Sequence, residues 1–153
     1  MNKKKIILGI VISIVIAIIV WIDIPYLFPS KNLISKNNYD YTYRQVNIED
    51  FDSVDSSTWI DNTEDGKVDK LISIIDDLSF KKAKIPKDQS EYSLNFIGTY
   101  KEDEYNTYAK EVFSIRFYED NVIGFQEKPE SIGKYYKIQD KEFDIKKIIE
   151  ELQ

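Results

Sequence analysis

Apolar positions along this chain keep three different rhythms. From Ile6 to Ile22 they run without a break, IILGIVISIVIAIIVWI, with no charge and no proline. From Val68 the rhythm is helical: Val68, Leu71, Ile72, Ile75 and Leu78 return at i, i+3, i+4 and i+7. A second helical stripe closes the chain at Ile145, Ile148, Ile149 and Leu152. Elsewhere apolar and polar residues alternate, which is the period of a half-buried strand.

The continuous run predicts a membrane helix. Seventeen helical residues cover roughly 26 Å at 1.5 Å each, against a hydrocarbon core of about 30 Å. Lys3–Lys5 precede the run and Asp23 follows it, so the positive-inside rule puts the N-terminus in the cytoplasm and the remainder outside. No small-x-small pair follows, and the run exceeds the usual length of a signal's apolar region, so an uncleaved signal anchor is expected. Gly9, Ser13 and Ala17 recur every four residues, a spacing that lets two such helices approach and self-associate. The domain plan is then a cytoplasmic basic tail over 1–5, a transmembrane signal anchor over 6–24, a stalk over 25–43 and an extracytoplasmic domain over 44–153.

Within the stalk, Leu33-Ile34 is the pair able to dock back onto the domain, and Tyr39, Tyr41 and Tyr43 alternate toward one face of an extended backbone. Gln45–Phe51 predicts a strand with Val46 and Ile48 on one side. The helix from about Glu64 is capped by Asn62 or Thr63, with Lys81, Lys82 and Lys84 lying past its last turn and Pro86 stopping it. Strands follow over about 91–100, 108–118 and 134–139. Between the second of these and the next apolar run, a three-residue loop Glu119-Asp120-Asn121 pairs Phe117 with Ile123 and Ile115 with Phe125. A two-residue loop would set Phe117 against Gly124 and is disfavoured. Asp140 is placed to cap the last helix. The fold class expected is α+β: one N-terminal transmembrane helix, then a single domain with a mainly antiparallel sheet of 4–5 strands and two packed helices.

Composition changes this picture mainly by exclusion. The 153 residues contain no histidine and no cysteine, which removes Ser-His-Asp and Cys-His catalysis, the usual zinc ligand sets and any disulfide. Ser79-Phe80-Lys81-Lys82 and Ser131-Ile132-Gly133-Lys134 fit S-x-x-K, but so short a pattern arises by chance and its companion motifs are absent. Asp61-x-Thr63-x-Asp65-Gly66 opens like a calcium loop and then has Ile72 where a bidentate Glu is needed. A looser acidic set, Asp50, Asp52, Asp55 and Asp61, reads as a solvated bend. No catalytic residue, cofactor or metal ligand is assigned.

Outside the first 24 residues, 18 basic and 26 acidic residues give a net charge of −8. Such a surface is a poor partner for nucleic acid and a good one for a basic protein. The layout, an apolar N-terminal run followed by one compact aromatic-rich domain, resembles uncharacterised small bacterial single-pass membrane proteins whose extracytoplasmic domain has no known function. That resemblance implies localisation at the cell membrane and carries over no site residue. The function expected is a membrane-anchored, non-enzymatic interaction module, a sensor or accessory subunit of an envelope complex. An immunity protein that captures a secreted or contact-delivered toxin is the alternative. In either case Tyr39, Tyr41 and Tyr43 are the candidate partner-binding residues.

Overall fold

Alternating apolar residues assemble the largest element first. The computed structural model describes residues 3–27, 29–35, 42–51, 57–62, 65–101, 107–127, 131 and 133–152. The long strands β4 (Tyr92–Lys101) and β5 (Thr107–Tyr118) pair antiparallel, with Leu94 against Ile115 and Phe96 against Phe113. A tight turn, Glu119–Asn121, then returns the chain into β6 (Val122–Gln126), and Asp120 and Asn121 both take positive φ. Asx residues tolerate that left-handed backbone better than others. The register is Phe117 against Ile123 and Ile115 against Phe125, as the three-residue loop requires.

Around this centre lie β1 (Thr42–Asp50), β2 (Ser57–Asp61), β3 (Phe80–Lys82) and β7 (Lys134–Ile138). They complete a seven-stranded antiparallel sheet in the order β2-β1-β4-β5-β6-β7-β3. Ser30 adds a single-residue bridge outside β3 through mutual backbone bonds of 2.7 Å with Phe80. The sheet is therefore wider than the expected 4–5 strands. Two short strands make the difference: β2 is mostly polar, and β3 is a three-residue Phe-Lys-Lys segment.

One face of the sheet carries Val46, Ile48, Ile60, Leu94, Phe96, Phe113, Ile115, Phe117, Ile123 and Phe125, all buried. Helix α2 (Lys67–Asp77) adds Val68, Leu71 and Ile75 to that core, and α3 (Ile145–Leu152) adds Ile145, Ile149 and Leu152. Phe113 sits at its centre, stacked on Phe96 with ring centroids 4.3 Å apart and 5.4 Å from Phe125. Capping departs from expectation in instructive ways. Asn62 does cap α2, its Oδ1 accepting from the amides of Val68 at 3.1 Å and Asp69 at 3.3 Å. At α3 the cap is Asp144, which accepts from Lys146 and Lys147; Asp140 instead accepts the Ser79 amide at 2.8 Å. Lys81 and Lys82 do not serve the end of α2, which has no basic residue in its last turn, because they belong to β3.

The N-terminal helix α1 (Lys3–Leu27) requires a correction. Among the described residues, no helix is long and apolar enough to cross a membrane. The transmembrane signal anchor, the single-pass topology, the integral membrane partner and the cell-membrane localisation with an extracytoplasmic domain are accordingly withdrawn. Beyond α1, Leu33 and Ile34 are buried in the core as their apolar pattern suggests, so part of the expected stalk is built into the domain.

Candidate protein-binding edge

Strand alternation that builds a core on one face of the sheet leaves a polar row on the other. On that second face, cross-strand partners run Trp59–Asn47–Asn95–Ser114–Gln126 from β2 to β6. The next row runs Ser57–Glu49–Ser93–Arg116–Gly124–Tyr135. A third runs Asp61–Gln45–Ile97–Glu111. Side-chain bonds hold this polar surface in place. Ser57 Oγ donates to Asn47 Oδ1 at 2.7 Å, Gln45 Nε2 to Asp61 Oδ1 at 2.6 Å, and Ser93 Oγ to Asn95 Oδ1 at 3.0 Å.

Charge is unevenly spread across it. Asp61 and Glu49 lie toward the β2 end, Glu111 and Arg116 on the central strand β5, and Lys81 and Lys137 toward the β3 end. Partial burial raises the pKa of Glu111 above the usual carboxylate value, and the nearby Glu49 carboxylate raises it further. Arg116 works the other way. A carboxylate held above its ordinary pKa is one that gains from an incoming positive charge.

Among the described residues the sheet stops at β2, with no further strand on its far side. Four of its five residues are exposed and only Ile60 is buried. Trp59 is 52% exposed on the polar face, and Phe51, just past β1, is also 52% exposed. Hence three features coincide here: an end strand, a large uncovered aromatic ring and a surplus of carboxylates. A strand edge presents unpaired N–H and C=O groups that can template another strand, and aromatic side chains are frequent anchors at interfaces.

Of the three tyrosines singled out from the sequence, Tyr43 alone lies among the described residues. Tyr43 is half-buried on the core face, edge-on to Phe96 at 6.3 Å and to Phe113 at 5.8 Å. It closes one end of the core. Tyr39 and Tyr41 lie outside the described residues. Of the acidic bend, Asp52 and Asp55 also lie outside them, and no group of three or more carboxylates that could hold a metal occurs among the described residues. Sequence reasoning missed Trp59 as a site residue. Its signal was available: a tryptophan between Thr58 and Ile60 in a segment too polar to bury both of its faces.

No known protein family, no curated protein and no solved structure matches this chain.

Proposed function

We propose that this domain is a non-enzymatic protein-binding module that docks a basic, extended segment of its partner along β2. The observation that carries the proposal is Trp59, a half-exposed indole on the end strand of the sheet, flanked by Asp61 on its own strand and by Glu49 across the pair. An added strand would take main-chain hydrogen bonds from the free side of β2, and that pairing supplies affinity independent of sequence. Specificity would come from alternate side chains. Ser57, Trp59 and Asp61 share one face, so every second residue of the partner meets an indole or a carboxylate. Lysine or arginine suits both, by cation–π contact and by charge.

The net charge of the chain, −6, favours fast encounter with such a partner. Absence of His and Cys from the sequence narrows the catalytic chemistry available and is consistent with a binding role. A photoreactive amino acid placed at the exposed Thr58 tests the proposal. It should crosslink to a defined partner in cells of the source organism, whereas the same group at Lys147 on α3 should not. Equal labelling from both positions, or none from Thr58, would contradict docking along β2.

A further inference from the structure

The middle of the polar face holds a second feature that docking along β2 does not use. Ser93 and Ser114, on the adjacent strands β4 and β5, are only 2% and 4% exposed. Yet they lie on the face opposite the core to which α2 and α3 contribute. Two short side chains buried there mark a pit whose walls are longer neighbours. Strand register names those walls. Asn95 is the cross-strand partner of Ser114, Arg116 that of Ser93, and Glu111 that of Ile97. The register shift at Phe96/Ile97 brings Glu111 onto this face despite its odd spacing from Ser114. Arg116 and Glu111 therefore stand on β5 at either side of Ser114.

The floor of the pit has hydrogen-bonding capacity to spare. Ser93 Oγ donates to Asn95 Oδ1 at 3.0 Å, which fixes the amide and leaves its Nδ2 on the other side. Neither that Nδ2 nor the Ser114 hydroxyl has a hydrogen-bond partner among the described residues. Among those residues no side-chain oxygen or nitrogen is both sealed from solvent and unpartnered. The Ser114 hydroxyl thus keeps an opening to the outside. The walls carry opposite charges. Arg116 is near enough to pull the Glu111 pKa down, yet the two form no ion pair. A hydrogen bond to the Tyr118 hydroxyl steadies Arg116, and a guanidinium with five donors can still receive a carboxylate. Glu111, pushed up by burial and then by Glu49, gains from an ammonium. Half-buried Ile97, across from Glu111, adds an apolar wall. Opposite charges held apart above unspent donors suit a ligand that carries both charges itself. A lone anion would bring nothing to Glu111, and a lone amine would leave Arg116, Asn95 and Ser114 unanswered.

We propose that the pit over Ser114 binds a small apolar α-amino acid as its zwitterion. Arg116, Asn95 Nδ2 and the Ser114 hydroxyl receive the carboxylate, Glu111 receives the ammonium, and the side chain lies against Ile97. The site is built on β4 and β5, inside the β1–β2 pair, so it and the β2 edge can fail independently.

Titration of the full chain with L-alanine and with L-valine, followed by amide chemical shifts, tests it. Saturable shifts confined to 93–97 and 111–116 are expected for at least one of them. N-acetylalanine lacks the ammonium and alanine amide lacks the carboxylate, so each should bind at least tenfold more weakly than alanine. Arg116→Gln and Glu111→Gln should each weaken binding at least tenfold. Lys70→Gln and Asp77→Asn, the same charge changes on α2, should alter it less than twofold. Thermal melts establish that the variants are folded, and Ser114→Ala, which removes one hydroxyl only, should also weaken binding. Several results would overturn the proposal: no saturable shift with either amino acid at millimolar concentration, N-acetylalanine or alanine amide binding as tightly as alanine, or equal weakening in the pit and α2 variants.

Discussion

The Asp76 carboxylate reaches across 42 positions of sequence to accept the backbone amide of Ile34 at 2.7 Å. Its other oxygen accepts the Ser35 amide at 3.1 Å and the Ser35 hydroxyl, while the Asp76 carbonyl takes the Asn32 amide at 3.0 Å. Asp76 is itself buried, 7% exposed, and these bonds are what make a buried carboxylate tolerable. They fix the segment after α1 to the end of α2 and hold Leu33 and Ile34 in the core. Asp76→Ala should therefore cost about 1–3 kcal/mol in a denaturant melt. It should also abolish hydrogen-exchange protection of the Ile34 amide. Asp77→Ala, next in sequence but exposed, should do neither. Equal effects from the two would show that Asp76 does not hold the segment.

Packing at the centre of the sheet yields a second expectation. Phe113 is fully buried between Phe96 and Phe125, and Ile115 is fully buried beside them. Ile115→Ala should cost about 2–5 kcal/mol and Phe113→Ala about 3–5 kcal/mol. Arg116 points to the polar face and is exposed, so Arg116→Ala should cost far less. Urea melts of the three variants, compared by midpoint at constant slope, check the assignment of faces.

A third expectation concerns pH. Burial, then Glu49, raise the Glu111 pKa in the folded protein, and Arg116 only partly opposes them. A raised folded pKa means that protonation favours folding. This contribution is complete below the unfolded value near 4.5 and is lost as pH rises through the folded value. Glu111→Gln should thus stabilise the domain at pH 7, with the gain shrinking to nothing as pH falls below the ordinary carboxylate range. Melting curves of both proteins from pH 3 to 7 measure this, and a gain that grew on acidification would contradict it.

How far the fold could be read from the sequence depended on how much apolar contrast each element carries. The β5–β6 hairpin was fully legible, register included, because only one loop length sets Phe117 and Ile115 against apolar partners. Asn62 was legible as a cap because the helical period starts a few residues after it. Strand β3 was not, because Phe80-Lys81-Lys82 follows a helix and reads as its basic tail; only pairing with Lys137 and Tyr136 makes it a strand. Strand β2 was hidden for a related reason: an end strand buries just one residue, Ile60, and shows no alternation to find. Tyr43 carried alternation but not direction, so its face depended on a register irregularity between Tyr43 and Gln45 that no sequence pattern announces. The apolar run of α1 was the most conspicuous signal in the sequence, yet the membrane-spanning helix expected from it is not found among the described residues. Of the two proposed sites, neither was legible. One lies at an end of the sheet and the other on its central strands, and the strand order that sets both comes from long-range pairing.

The central claim is that β2 binds a basic partner through Trp59, and one comparison on a single purified variant tests it most directly. Trp59 is half exposed, so Trp59→Ala should leave the melting temperature almost unchanged. The affinity for the partner captured from position 58, measured by calorimetry, should fall by more than about 1 kcal/mol. Asp61→Asn should act differently, slowing association at low salt and converging with the unaltered protein as salt rises. Unchanged affinity in Trp59→Ala, or a loss that tracks a lowered melting temperature, would contradict the account.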